Sequence, residues 1–309
     1  MQQITNTVLM IRPASFRSNE ETMITNHFQK KSLPESQIGY KARNEFDNFV
    51  KQLIAVGVEV IVFDDIREND TPDALFPNNW ITFHVDGRIA LYPMQSANRR
   101  RERRNDIIEE LNRSGYNISG CKDYSHYESS DIFLEGTGSM VLDRENRKAY
   151  CALSPRSSET ALLSFCEDFG YIPVAFRAAQ SVGAERKPVY HTNVILTIGE
   201  TFAVICQESI DNKKEREIVI NSLKRDGKEI IFISEKQVSE FAGNMLQLKN
   251  RDEKHLLIMS TRARRSLSRN QLSLIEEHAS LIDIPLDTIE THGGGSARCM
   301  MAELFLPRR

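Results

Sequence analysis

Residues 41–63 read KARNEFDNFVKQLIAVGVEVIVF. Phe46, Phe49, Val50, Leu53 and Ile54 fall at helical spacing, which predicts a helix over Lys41–Val56 with one apolar face. Gly57 closes it, since a residue without Cβ turns readily into the left-handed conformation that ends helices. The branched run VEVIVF that follows reads as a strand.

This helix, glycine, strand unit recurs. Arg103–Ser114 leads through Gly115 into YNIS, Ser158–Phe169 through Gly170 into YIPVAF, and Lys213–Asp226 through Gly227 into KEIIFIS. A fifth helix, Ser268–Ser280, runs into LIDIPLDTIE without the glycine. After each of the first four strands comes a loop and then a β-hairpin: NNWITFHVDGRIALYPM, EGTGSMVLDRENRKAYCALS, HTNVILTIGETFAVICQE and NMLQLKNRDEKHLLIMS. The last copy, CMMAELFLP, has no partner after it. Its natural partner is the N-terminal run TNTVLMIR, residues 5–12, and that pairing would close a ring of five units. One α/β domain over residues 1–309 accommodates the whole chain.

The residues that open the five hairpins are Asn79, Glu135, His191, Asn244 and Cys299, at intervals of 56, 56, 53 and 55 residues. Equivalent positions of a ring converge on its axis, so an acid, an imidazole and a thiol would meet there. Cys299 follows Gly293, Gly294 and Gly295, whose backbone freedom lets main-chain N–H groups face a substrate atom beside the sulfur. Arg298 would help hold that sulfur as thiolate. Taken singly, each has a plainer reading: a surface glycine loop, a buried core cysteine, a solvated glutamate, a strand-edge histidine, turn-forming asparagines. In register with one another, they read as a catalytic set.

The composition narrows the function classes. A net charge of -3 and a pI near 6.2 give no overall attraction to nucleic acid or to an anionic membrane. The five cysteines lack CxxC or Cys/His ligand spacing, so neither a disulfide framework nor a metal site is expected. Cys151, Cys166 and Cys206 read as core fillers. No apolar run approaches a membrane span and no leader pattern opens the chain, which points to the cytoplasm. The polar stretch Ala14–Ser36 reads as a long loop, part of which is expected to cover a site.

Four segments together resemble the guanidine-modifying enzymes of the amidinotransferase superfamily: Phe76-Pro77-Asn78-Asn79, Leu134-Glu135-Gly136-Thr137-Gly138, His191-Thr192-Asn193 and Gly294 through Met300. The resemblance implies the pentein fold, an α/β-propeller of five ββαβ units around a pseudo-five-fold axis. By that likeness Cys299 is the nucleophile, His191 the general acid/base and Glu135 the carboxylate that orients it. Phe76, Asn78, Asn79 and Asn193 would line the substrate. An arginine after the first hairpin serves the substrate carboxylate in arginine deiminases, which points to Arg100 with Arg99 beside it; Arg12 and Arg17 rank lower. No step needs a metal or an organic cofactor.

Three carboxylates of that pattern are absent. Asn79, Gly138 and Asn193 stand where the guanidine enzymes carry aspartates, and a buried guanidinium without acidic partners is costly. An amide offers both a donor and an acceptor, which suits a neutral ureido group. A ureido substrate, most simply citrulline, is therefore expected, and the overall likeness is closest to the citrulline ureidase branch, which implies ornithine, ammonia and carbon dioxide as products through a thio-intermediate on Cys299. An arginine deiminase or dimethylarginine dimethylaminohydrolase remains the alternative, and a non-catalytic pentein binding module a second. The partner expected is a small amino acid, with neither nucleic acid nor membrane; the outer helices leave faces on which a homodimer can form.

Overall fold

The computed structural model describes residues 2–29 and 35–309. Among the described residues, five three-stranded sheets share one plan: an antiparallel pair, then a third strand parallel to one member of it. In the second sheet Ile81–Phe83 pairs antiparallel with Arg88–Leu91, which pairs parallel with Gly120–Asp123. The sheets built on Lys148–Leu153, Phe202–Ile205 and His255–Ser260 repeat that order. The remaining sheet joins the chain ends: Thr7–Arg12 takes Ala302–Glu303 antiparallel, with Val8 opposite Glu303, and Glu59–Asp64 parallel. The pairing expected between the N-terminal run and the last strand is therefore present. A parallel pair needs a crossover, and the predicted helices supply it.

The helix expected from Lys41 begins earlier, at Glu35, and ends at Ala55. Phe46, Phe49 and Leu53 are fully buried against Val8, Met10 and Ile258, each such side chain contributing ~1.5–3 kcal/mol relative to exposure. Ile54 departs from the expected face: it is 55% exposed, one residue too far around the helix. Gly57 takes φ 88° directly after, and Gly115, Gly170 and Gly227 repeat that positive φ at the ends of the other helices. The recurrent glycine is thus a recurrent backbone requirement. LIDIPLDTIE divides into the strand Ser280–Ile284 and a helix, Asp287–Gly293, because Pro285 stops the strand. A hairpin absent from the sequence reading, Ala179–Val182 with Glu185–Pro188, lies outside the five sheets.

The expected loop 14–36 has a 3-10 turn at Thr22–Ile24; residues 30–34 of it lie outside the described residues. Cys151, Cys166 and Cys206 are buried as expected, and Cys121 is exposed. His84 is buried and stacked on Phe169 at 4.0 Å. Among the described residues, no helix is long and apolar enough to cross a membrane.

Candidate active site

The hairpins open on tight turns that aim their first residues inward. Asn79 ends the 3-10 turn Pro77–Asn79, Glu135 and His191 precede Gly136–Ser139 and Thr192–Val194, and Cys299 lies in Ala297–Met300. All five opening residues are buried. Gly136, at φ 46°, lets the second turn approach the first, since a Cβ there would meet the Asn78 carbonyl at 2.2 Å.

Four of the five side chains form two hydrogen-bonded pairs, and Asn79 is held separately. His191 Nε2 donates to Glu135 Oε2 at 2.8 Å, while the Gln95 N–H donates to Glu135 Oε1 at 3.0 Å. The Cys299 sulfur accepts from Asn244 Nδ2 at 3.2 Å and from Asn193 Nδ2 at 3.5 Å. Asn79 Oδ1 accepts from Arg99 at 2.9 Å. A cavity lined by Asn79, His191 and Cys299 joins the groups, together with Asp73, Arg99 and Arg156.

Charge is arranged unevenly around this cavity. Burial alone would raise the Glu135 carboxyl, but Arg156, His191 and Arg99 outweigh it and hold it at about 2. Arg156 and Arg99 each stand 3.7 Å from that carboxylate. Burial lowers His191 to about 4 against the pull of Glu135, and the two arginines add to the lowering. At neutral pH the pair is therefore an ionised glutamate and a neutral imidazole. Glu135 favours the imidazolium, but burial and two neighbouring cations outweigh that one carboxylate. Since a carboxylate only accepts, Nε2 carries the proton and Nδ1 keeps its lone pair.

The glycine turn is tied down rather than flexible. Gly294 takes φ 63° and donates its N–H to Glu290 O at 3.1 Å. Its carbonyl accepts from Tyr190 Oη at 2.7 Å and Asn26 Nδ2 at 3.1 Å, and the Gly293 carbonyl accepts from Gln29 Nε2 at 3.0 Å. Phe76 packs so close that a Cβ on Gly293 or Gly295 would meet its ring within 3 Å. Arg298 points to Glu303 at 3.0 Å, so it supports the turn from behind rather than the sulfur.

Several expected residues lie where the resemblance implied, and others do not. Cys299, His191, Glu135, Asn79 and Asn193 are gathered, with Phe76 as one wall. Asn78 is buried beside them, and neither polar atom of its side chain has a hydrogen-bond partner among the described residues. Arg100 is turned away: Nε donates to Met94 O at 3.1 Å, and its nearest carboxylate is Glu128 at 3.5 Å. Arg12 pairs with Asp47 and Arg17 with Asp70, both outside the cavity. Arg99 enters it instead, held bidentately by buried Glu102 at 2.8 and 2.9 Å.

Asp73, Arg156 and Tyr190 escaped the sequence reading. Arg156 follows the second hairpin as Arg99 follows the first, so the repeat register itself was the missed signal. Segment 19–29 closes over these groups. Arg156 donates to Thr25 Oγ1 and to the Thr22 carbonyl, and Asn19 donates to Asp73 Oδ2 at 2.8 Å. The space left for a water-sized sphere is about 10 Å³, room for one water. Among the described residues, no group of three or more His, Cys, Asp or Glu is placed to hold a metal.

Repeated small sheets around inward-facing acid, imidazole and thiol define an α/β protein of the amidinotransferase type. Residues 12–306 match the sequence model described as N,N dimethylarginine dimethylhydrolase, eukaryotic, and the chain belongs to that family. Solved structures agree in fold. The apo form of ArgZ, an arginine dihydrolase from the ornithine–ammonia cycle in cyanobacteria, is 15% identical with a TM-score of 0.73. That match covers 98% of this chain and 41% of ArgZ, so this chain spans well under half the length of that protein. The product-bound N-terminal domain of ArgZ is 16% identical with a TM-score of 0.71, covering 99% of this chain and 100% of that domain. A dimethylarginine dimethylaminohydrolase variant in adduct with S-methyl-L-thiocitrulline is 14% identical, with a TM-score of 0.65 and coverage of 97% and 100%. No curated protein matches the sequence.

Proposed function

We propose that the protein is a cysteine-dependent hydrolase of the non-peptide C–N bond of a ureido amino acid, most simply citrulline. The observation that carries this is the amide lining around the sulfur. Asn79 Nδ2, Asn193 Oδ1 and Asn244 Oδ1 are buried and have no hydrogen-bond partner among the described residues. One unpaired donor and two unpaired acceptors match a group with one C=O and several N–H bonds. The charged groups complement the amino-acid end: Arg99 and Arg156 suit its carboxylate, and Asp73, whose Oδ1 is also unpaired, suits its ammonium.

In this reading the five sheets are five ββαβ units around a pseudo-five-fold axis, supported by their common topology and by the meeting of the hairpin openings. His191 Nδ1 takes the thiol proton, and the Cys299 sulfur forms a bond to the ureido carbon. The C–N bond then breaks, and His191 returns the proton to the departing nitrogen. Water deprotonated by the same imidazole adds to the thioester, releasing the thiol. With the ornithine nitrogen leaving first, the intermediate is a carbamoyl thioester, and carbamic acid falls apart to ammonia and carbon dioxide. The overall balance is citrulline plus one water. Segment 19–29 must open to admit a substrate far larger than one water, and on closing it excludes bulk solvent.

The competing reading is hydrolysis of a guanidine such as arginine. It is favoured by the family and by Asp73, should that carboxylate face the reacting group. Ammonia release from citrulline and from arginine, with products identified and a Cys299→Ala control, separates the two. Ornithine from citrulline that disappears in the control is the expected result. Turnover of arginine alone would replace the ureido reading by the guanidine one.

A further inference from the structure

Glu290 is fully buried, carries a carboxyl group and lies outside the cavity lining. Its Oε1 accepts from Ser296 Oγ at 2.6 Å, and its main-chain carbonyl accepts the Gly294 N–H at 3.1 Å. Ser296 in turn offers its carbonyl to the Cys299 N–H at 3.0 Å. A single residue in the middle of Asp287–Gly293 thus holds both sides of the glycine turn, and the chain of contacts ends on the backbone of the cysteine. Three glycines in succession give a turn many alternative conformations, so something must select one. The ring of Phe76 limits it from the cavity side, but Gly295 has no hydrogen bond that would fix its direction toward Ser296 among the described residues. The Glu290 side chain is the polar link on the opposite side.

Its environment suits this task better than a stabilising one. Among the described residues Glu290 Oε2 has no hydrogen bond of good geometry, only a weaker pull from Ser260, and no cation stands within ion-pair distance. Arg262, the charge that acts on it most strongly, is already paired with Glu240. A buried carboxyl with half its hydrogen-bonding capacity empty costs stability. Such a group is retained where it fixes a geometry that function needs.

We propose that Glu290 and Ser296 form a positioning pair that sets the glycine turn and thereby holds the Cys299 sulfur against the amides of Asn193 and Asn244. Neither residue touches substrate. The inference rests on Cys299 being the nucleophile, not on the identity of the substrate.

The test uses the full-length chain with Glu290→Ala, Glu290→Gln and Ser296→Ala. Three quantities are read: kcat and KM on whichever of citrulline and arginine the wild type turns over, the rate at which iodoacetamide labels Cys299 as followed by peptide mass, and the melting temperature. Loss of one hydrogen bond to the turn is expected to lower kcat and the labelling rate together by about tenfold or more, with KM within about twofold. Glu290→Gln keeps an acceptor for Ser296 and restores both rates. Should Glu290→Ala fail to fold, Ser296→Ala, which removes one oxygen, carries the same expectation. Wild-type kcat and labelling in Ser296→Ala, or a lowered melting temperature with unchanged labelling, would overturn the proposal. If the wild type labels at Cys299 but hydrolyses neither substrate, the substrate reading fails, and the labelling series still decides the positioning role.

Discussion

His191 and Glu135 share a 2.8 Å hydrogen bond with both side chains out of contact with solvent, and each is displaced from its ordinary pKa toward acid. The consequence is a sign for the pH dependence. His191 falls from 6.5 to about 4 and Glu135 from 4.5 to about 2, so the unfolded chain binds protons more readily than the folded one. Their stabilising contribution is complete above pH 6.5. That of His191 is lost as pH falls toward 4, and that of Glu135 as it falls from 4.5 toward 2. Denaturant unfolding of wild type and His191→Gln between pH 7 and 4 should show the variant losing less stability over that interval. Activity should hold down to about pH 5 and fall through about pH 4, where the imidazole loses its base form.

Glu102 and Glu290 carry the opposite sign. Burial lifts each carboxyl from 4.5 to about 7, against Arg99 at Glu102 and against Ser260 and Ser296 at Glu290. The folded state therefore binds protons more readily there. The contribution is full below pH 4.5 and is lost as pH rises through 7. Glu290→Gln removes one of these titrations, so its melting temperature relative to wild type should rise between pH 5.5 and 8.5. A difference that stays constant over that range would mean Glu290 is ionised throughout.

Much of this site was legible because the fold repeats. Glu135, His191 and Cys299 could be placed together by counting from hairpin to hairpin, before any distance was known. The same count applied to the residues after each hairpin would have paired Arg156 with Arg99. Arg100 follows only from the family likeness, and one helical step turns it onto the carbonyls of Met94 and Gln95. Asp73 and Thr25 carried no periodic signal, since they lie in irregular segments whose position depends on tertiary contacts. The short helix Asp287–Gly293 was hidden for a similar reason: its apolar residues read equally as strand and helix over so few positions.

The choice between ureido and guanidine substrates can be tested at positions 79 and 193. Asn79→Asp places a carboxylate at an amide that lines the cavity, and Asn193→Asp places one at the amide that donates to the Cys299 sulfur. A cationic substrate gains from that charge and a neutral one loses a donor. The double variant is expected to shift the arginine-to-citrulline ratio of kcat/KM toward arginine by about tenfold or more. Equal effects on both substrates would refute the charge argument. Arg99, 2.9 Å from Asn79 Oδ1, will compete for an acid at 79, so the larger shift should come from position 193.

Arginine substitutions separate geometry from analogy. Arg156 is 2% exposed, lines the cavity and stacks over Tyr190 at 5.2 Å, while Arg100 is a third exposed. Arg156→Lys keeps a charge but loses the planar fork, and KM should rise by about tenfold or more with a smaller change in kcat. Arg100→Ala should leave KM within about twofold. A KM effect at Arg100 with none at Arg156 would return the carboxylate to the outer arginine.

Gly138 stands where the resemblance to the guanidine enzymes implied an aspartate, and the structure gives a steric reason for a residue without a side chain. A Cβ there would stand 2.3 Å from Asn79 Nδ2 and 2.7 Å from His191 Nδ1. No atom can occupy that place unless the amide and the ring both move. The imidazole is held by its bond to Glu135 Oε2, so any displacement breaks the contact that fixes its tautomer. Gly138→Ala should therefore fold, at an overpacking cost of about 1–3 kcal/mol, yet lose about a hundredfold or more in kcat. Gly138→Asp should fare no better with arginine than Gly138→Ala, since its carboxylate must follow the same Cβ. Near-wild-type turnover in Gly138→Ala would mean that the ring and the amide relax freely, and that His191 is not held in the working position described here.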